Sequence, residues 1–224
     1  MNETVILNQI PFSLDLPALA ARLRIRPDNS YYRDLEALAG EALTIARPRA
    51  VIRLAYIDAL EDDRVMVEGV RFVSRLLADK LAQTHRVFAY VATCGTELDE
   101  WASSKNDMLR RFYAEEINAL ALVTARKTLL EEIDRRFKPG QVSAMSPGSL
   151  PEWPIEQQGP LFELLGSPAQ VIGVRLTSSF LMLPVKSVSG IYFPTETPFF
   201  SCQLCPREKC PGRKAPYQAA EAPA

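Results

Sequence analysis

Histidine is almost missing from this chain: His85 is the one example among 224 residues. Histidine-rich metal sites are thereby excluded, and Ser–His or Cys–His pairs have a single candidate. His85 precedes an apolar run, where a surface position is its simplest reading. A surplus of charge is missing too. With 26 basic and 27 acidic side chains the net charge is -1, which argues against a nucleic-acid surface and against an acidic disordered tail. No stretch approaches the roughly 20 apolar residues that a membrane helix needs. The opening MNETVILNQIPFSLDLPALA has no positive segment followed by an apolar one, so it does not read as a secretory signal. Internal repeats and Gly-rich phosphate loops are absent. The expectation is a soluble, cytoplasmic protein with neither nucleic acid nor membrane as partner.

What is present suits a folded core. The hydrophobic fraction is 47%, ordinary for a globular chain. Residues 14–25 read as a short helix capped by Ser13 or Asp15. Residues 31–46 carry Leu35, Leu38, Ala39, Ala42 and Leu43 at helical spacing and stop before Pro48. Residues 49–58 are rich in Val, Ile and Tyr and read as a strand, 64–70 as a second strand or hairpin arm, and 72–84 as a helix. RVFAYVAT (86–93) has the continuous apolarity of a strand buried on both faces. Thr93-Cys94-Gly95-Thr96 turns the chain into a helix with an acidic start. A long helix runs from about Asp107 to Arg136 and ends at Lys138-Pro139-Gly140. SAMSPGSLPEWPIEQQGP (143–160) reads as a Pro- and Gly-rich loop and LFELLG (161–166) as a short helix. Residues 170–176 and 187–193 read as strands. The pattern is α+β: one domain with a mixed sheet over residues 1–200, then a Cys-rich, Pro-rich basic tail, 201–224.

Several features admit a structural and a functional reading. The 93–96 turn could hold an anion at a helix N-terminus, but Glu97 and Asp99 already occupy that start. Glu115, Glu116, Glu131 and Glu132 could form acid–base pairs. Among Arg126, Lys127, Arg135 and Arg136 they read more simply as a solvated helix face. Trp153, in a loop between prolines, is a candidate partner contact.

Two stretches carry a resemblance together with a third. Ser178-Ser179-Phe180-Leu181-Met182-Leu183-Pro184 is followed by Ser187-Val188-Ser189-Gly190-Ile191-Tyr192-Phe193. Ser146-Pro147-Gly148 precedes Glu156 and the helix LFELLG, and AYVATCGTELDE spans 89–100. In order and spacing these resemble the reactivation (S-adenosylmethionine-binding) domain of cobalamin-dependent methionine synthase, in free-standing form. The resemblance covers most of residues 20–200 and implies the activation-domain fold. It also implies a groove that presents S-adenosylmethionine to cobalamin held by a partner, for reductive remethylation. The implied partners are a methionine synthase or related corrinoid protein and an electron donor such as a flavodoxin or ferredoxin. The matching cofactor-binding positions are Pro147, Gly148, Tyr192 and Phe193. The chain departs from the family at Ala144, where an arginine grips the ligand carboxylate, at Ser149, where an aromatic stands, and near Thr124, where a helix glutamate falls. Arg175, Lys186 or Arg207 could replace the missing arginine.

Three of the four cysteines, Cys202, Cys205 and Cys210, crowd the tail, with Pro211 after the last. In a reducing compartment such spacing suggests metal binding, zinc or an iron–sulfur cluster, with Cys94 or a partner completing the set. Free thiols in a mobile tail are the alternative. This leaves two functional readings. One is an auxiliary protein for cobalamin-dependent methyl transfer. The other is a non-enzymatic corrinoid-protein partner or redox relay using the tail.

Overall fold

A computed structural model describes residues 3–210 and 212–218. The strands are β1 (Thr4–Leu7), β2 (Arg49–Leu60), β3 (Arg64–Val67), β4 (Val70–Val73), β5 (Arg86–Thr93), β6 (Val142–Met145), β7 (Arg175–Leu176), β8 (Met182–Leu183) and β9 (Ser187–Pro194). The α-helices are α1 (Leu16–Arg22), α2 (Ser30–Ile45), α3 (Arg75–Leu81), α4 (Thr96–Ser103), α5 (Met108–Phe137), α6 (Gln158–Leu164) and α7 (Pro168–Ile172).

Seven strands form one sheet in the order β4-β3-β2-β5-β9-β6, with β1 added to β2. The α+β class is as expected, but every pairing in the sheet is antiparallel rather than mixed. The long strand β2 serves three neighbours. It pairs β5 over Arg49 to Tyr56, and on its other side β1 and then β3, with a register shift between Ile57 and Ala59.

The helix α5 shows how one sequence period can serve two surroundings. Its buried residues Tyr113, Ile117, Ala121, Ala125, Leu129 and Ile133 recur every fourth position. With 3.6 residues per turn, each step of four overshoots by about 40°. The buried stripe therefore winds around the helix. Its first half packs on Leu35, Leu38, Leu98 and other residues of α1, α2 and α4. Its second half covers one sheet face, against Ile52, Phe88, Tyr90 and Tyr192. Asp107 caps the helix by accepting from the Arg110 N–H at 2.8 Å. Lys138 ends it in the left-handed region. The opposite sheet face buries Val51, Val87, Val91, Ile191 and Phe193 against Leu77, Trp153, Leu161 and Leu164. β5 is thus buried on both sides, as its apolar run implies.

Some local expectations needed revision. Within the stretch 64–70, residues 64–67 (β3) are the first arm of a hairpin whose second arm, β4, starts at Val70 and occupies the beginning of the expected helix 72–84. Glu68 and Gly69 both take positive φ, +47° and +79°, and fold the chain back. Ser74 then caps α3, its hydroxyl accepting from the Leu77 N–H at 3.1 Å. Residues 170–172 are helical rather than extended, because Pro168 starts α7 and Gly173 ends it at φ +75°. Only Arg175–Leu176 remains a strand there, paired with β8. The stretch 143–160 is not all loop, since its start belongs to β6 and 155–157 form a 3-10 turn. Among the described residues no helix is long and apolar enough to cross a membrane.

Candidate functional site

The side chains of β5, β9 and β6 that face α5 build a groove. Period-two alternation puts Val188, Gly190 and Tyr192 of β9 on the same face. Cross-strand register sets Ala144 opposite Tyr192 on one side and Gly190 opposite Tyr90 on the other. Gly190 is required by closeness. A Cβ there would lie 2.7 Å from Ser146 Oγ and inside contact with the Met145 carbonyl, so β6 can approach β9 only where no side chain intervenes.

The groove encloses about 340 Å³. Tyr90 and Tyr192 form its floor, their rings stacked with centroids 4.5 Å apart at 23°. Arg126 and Leu130 of α5 form one wall, Ala144 and Ser146 of β6 another, and Phe199, Phe200, Cys202 and Lys214 of the tail close a third. Arg126 Nε donates to the Tyr192 hydroxyl at 3.1 Å. Burial disfavours the Arg126 charge, but the Tyr192 and Tyr90 oxygens outweigh it and its pKa stays above the ordinary value. Burial pushes the Tyr90 phenol up, reinforced by Tyr192, so Tyr90 acts as a neutral hydrogen-bonding group. Among the described residues the groove lining carries two cations, Arg126 and Lys214, and no carboxylate.

The residues singled out from sequence fall unevenly around this groove. Tyr192 lies in the lining, but at 2% exposure its ring is stacked on Tyr90 and its hydroxyl is held by Arg126. Phe193, the next residue along the strand, necessarily points through the other face and belongs to the opposite core. It does not reach the groove. Pro147 and Gly148 sit at the rim between the lining residues Ser146 and Ser149. They make a turn with Gly148 at φ +79°, closed by the Ser149 N–H donating to Ser146 O at 3.1 Å. Thr124 lies one residue-pair away on α5 but not in the lining.

None of the three proposed replacements for the missing arginine reaches the groove. Lys186 is paired with Glu115 at 3.4 Å, and Arg175 and Arg207 are exposed outside the lining. Arg126 was not singled out. Its signal was present nonetheless: it interrupts an i, i+4 stripe between Leu122 and Leu130, both packed against the sheet-face core.

The cysteines do not converge. Among the described residues no three His, Cys, Asp or Glu side chains come together as a metal would require. Cys202 lines the groove, Cys205 packs on the opposite core, and Cys94 is fully buried among the helices. Burial pushes the Cys94 thiol up to about 12, so it is a small apolar filler rather than a thiolate ligand. Among the described residues the side chains thus do not assemble a zinc or iron–sulfur ligand set, and Pro211 lies outside the described residues. The tail is instead gathered on Arg213. Its guanidinium donates to the carbonyls of Cys202 at 2.8 Å, Cys205 at 3.1 Å and Ala215 at 3.3 Å, and to that of Arg207.

The remaining candidates are structural. Trp153 is fully buried and packs edge-on against Phe72, so it is not a surface contact for a partner. The four helix glutamates are each ion-paired: Glu115 with Arg111 and Lys186, Glu116 with Arg22, Glu131 with Lys127, Glu132 with Arg135 and Arg136. At the 93–96 turn Glu97 pairs with Arg49 at 2.5 Å and Asp99 accepts from the Val185 N–H, which leaves no anion site. His85 is exposed, as expected.

Residues 144–212 match the family model described as the vitamin B12-dependent methionine synthase activation domain. The fold is similar to that of a crystal structure of the MetH reactivation domain bound to AdoHcy. That likeness has a TM-score of 0.61 at 16% identity and covers 89% of this chain and 80% of that one. No curated protein sequence matches the chain. The chain has the methionine synthase activation-domain fold, and the matched segment supplies the β6, β9 and tail sides of the groove.

Proposed function

We propose that this groove binds S-adenosylmethionine and that the chain presents its methyl group to cobalamin held by a separate methionine synthase or related corrinoid methyltransferase. One observation carries the reading. The matched segment supplies most of the lining of a groove of small-molecule size, and the structural relative of the same fold holds AdoHcy. Cobalamin on the partner would supply the methyl-accepting cobalt and an electron donor such as a flavodoxin or ferredoxin the electron. This chain's own task is to orient the ligand. The half-exposed Phe200 ring offers a face for adenine or the sulfonium. Ser146 and Ser149 flank the turn in the lining, the Ser149 hydroxyl donating to the Ser146 carbonyl at 2.6 Å.

The test is a reactivation assay. The purified chain is combined anaerobically with a cobalamin-dependent methionine synthase lacking its own activation domain, S-adenosylmethionine and a reductant. Appearance of the methylated cofactor in the visible spectrum, dependent on this chain, is the expected outcome. Ligand binding without any methylation would remove the presenting role.

A further inference from the structure

The Arg126 guanidinium lies in the groove lining with donor capacity to spare. It is half-buried between Leu122 and Leu130, and among the described residues its one hydrogen bond is from Nε to the Tyr192 hydroxyl. Among the described residues no carboxylate pairs with it. Its two terminal nitrogens keep the donor pair that matches a carboxylate side by side. A cation partly withdrawn from water is costly unless an anion answers it, and among the described residues the lining holds no anion.

We propose that Arg126 is the anchor for a carboxylate-bearing ligand in this groove, the α-carboxylate of the nucleoside amino acid if the function is as proposed above. The cation is delivered from α5, across the groove from β6. Ala144 stands opposite Tyr192 in register and faces the same space. Its small side chain leaves room for the guanidinium to reach Tyr192 from the helix. The Tyr192 hydroxyl holds Nε, which fixes the plane of the fork and leaves its outer edge turned to the ligand. Lys214 on the tail adds a second positive charge to the lining. The anchor thus reads the acid group, while the Phe200 face remains for adenine or the sulfonium.

The experiment compares two probes by calorimetry on the full chain: S-adenosylmethionine and decarboxylated S-adenosylmethionine, which keeps the sulfonium and amine but lacks the carboxylate. Wild type should prefer the carboxylate-bearing probe. Arg126→Met should weaken that probe by about 10–100-fold, the range for losing a charge-assisted contact, and leave the decarboxylated probe within about threefold. Arg126→Lys should fall between. Arg126→Met combined with Ala144→Arg should recover affinity, because the cation is then supplied from the opposite strand to the same place. Thermal melts monitor folding, and if Arg126→Met is unfolded the probe pair on wild type and Arg126→Lys decides. Equal loss of both probes in Arg126→Met, or equal affinity of wild type for both, overturns the anchor while the nucleoside groove stands. Failure of wild type to bind either probe overturns both readings.

Discussion

Replacing Gly190 by alanine tests whether the groove depends on the close approach of β6 to β9. The added Cβ would meet Ser146 Oγ at 2.7 Å, the Met145 carbonyl carbon at 3.2 Å, and the Met145 oxygen closer still. Ordinary contact lies near 3.5–4 Å. The obstacle is largely backbone, so no rotamer change relieves it, and the strand itself must move. β6 has four residues and one neighbour in the sheet, which makes it the part that yields. Overpacking of this kind costs about 1–3 kcal/mol, or roughly 3–10 °C in melting temperature for a chain of this size. The loss should be concentrated. Amide exchange should accelerate at Ser143, Ala144 and Met145, while β5 and β2 keep their protection. Ligand affinity should fall with it, since Ala144 and Ser146 leave their places. A Gly190→Ala protein with unchanged melting temperature and unchanged protection at residues 143–145 would refute the reasoning.

The Cys94 thiol, buried and pushed up to about 12, should resist thiol reagents at pH 8 in the native protein while the tail cysteines react. A variant with Cys202, Cys205 and Cys210 changed to serine that still labels rapidly would contradict that placement. Glu132 is held well below the usual carboxylate range, to about 2, chiefly by its hydrogen bonds to Arg135 and then Arg136. A depressed folded-state pKa stabilises above the unfolded value and is lost as pH falls through the folded one. Urea melts should therefore show Glu132→Gln less stable than wild type above about pH 4.5, with the difference closing toward pH 2; a constant gap would count against the pairing. Arg213→Met should free the tail from its four carbonyl contacts. Limited proteolysis after residue 200 should speed up while the melting temperature of the domain hardly moves, and equal protease resistance would show that Arg213 does not hold the loop.

Strongly periodic or strongly punctuated segments were readable from sequence. The α5 helix, its Lys138 terminus, the buried β5 and the α+β class all follow from patterns that a few residues suffice to set. Short elements were not. β6 spans four residues inside a Pro- and Gly-rich stretch, and its strand character comes from pairing with β9 rather than from its own composition. Val171 and Ile172 are apolar and β-branched, yet Pro168 and Gly173 decide their conformation. Within the site, Tyr192 could be picked out, but its neighbour Phe193 could not be separated from it until the face of β9 was known. Arg126 was hidden by its own helix, where several charges lie within one turn and only the sheet distinguishes the inward one. The cysteine spacing suggested a shared ligand. The carbonyls around Arg213 gave the tail another centre, which no spacing rule anticipates.

The insertion of β9 between β5 and β6 also bears on how the chain is made. Phe88 and Tyr192 are partners across the sheet but lie far apart in sequence. During synthesis the apolar β5 emerges long before β9, with one of its edges waiting for that strand. Non-local pairing of this kind is slow to form and leaves a sticky edge exposed meanwhile. The groove accordingly forms only after β9 has paired. Substitutions in Ser187–Pro194 should lower the yield of soluble protein more than equally buried substitutions in α2 do.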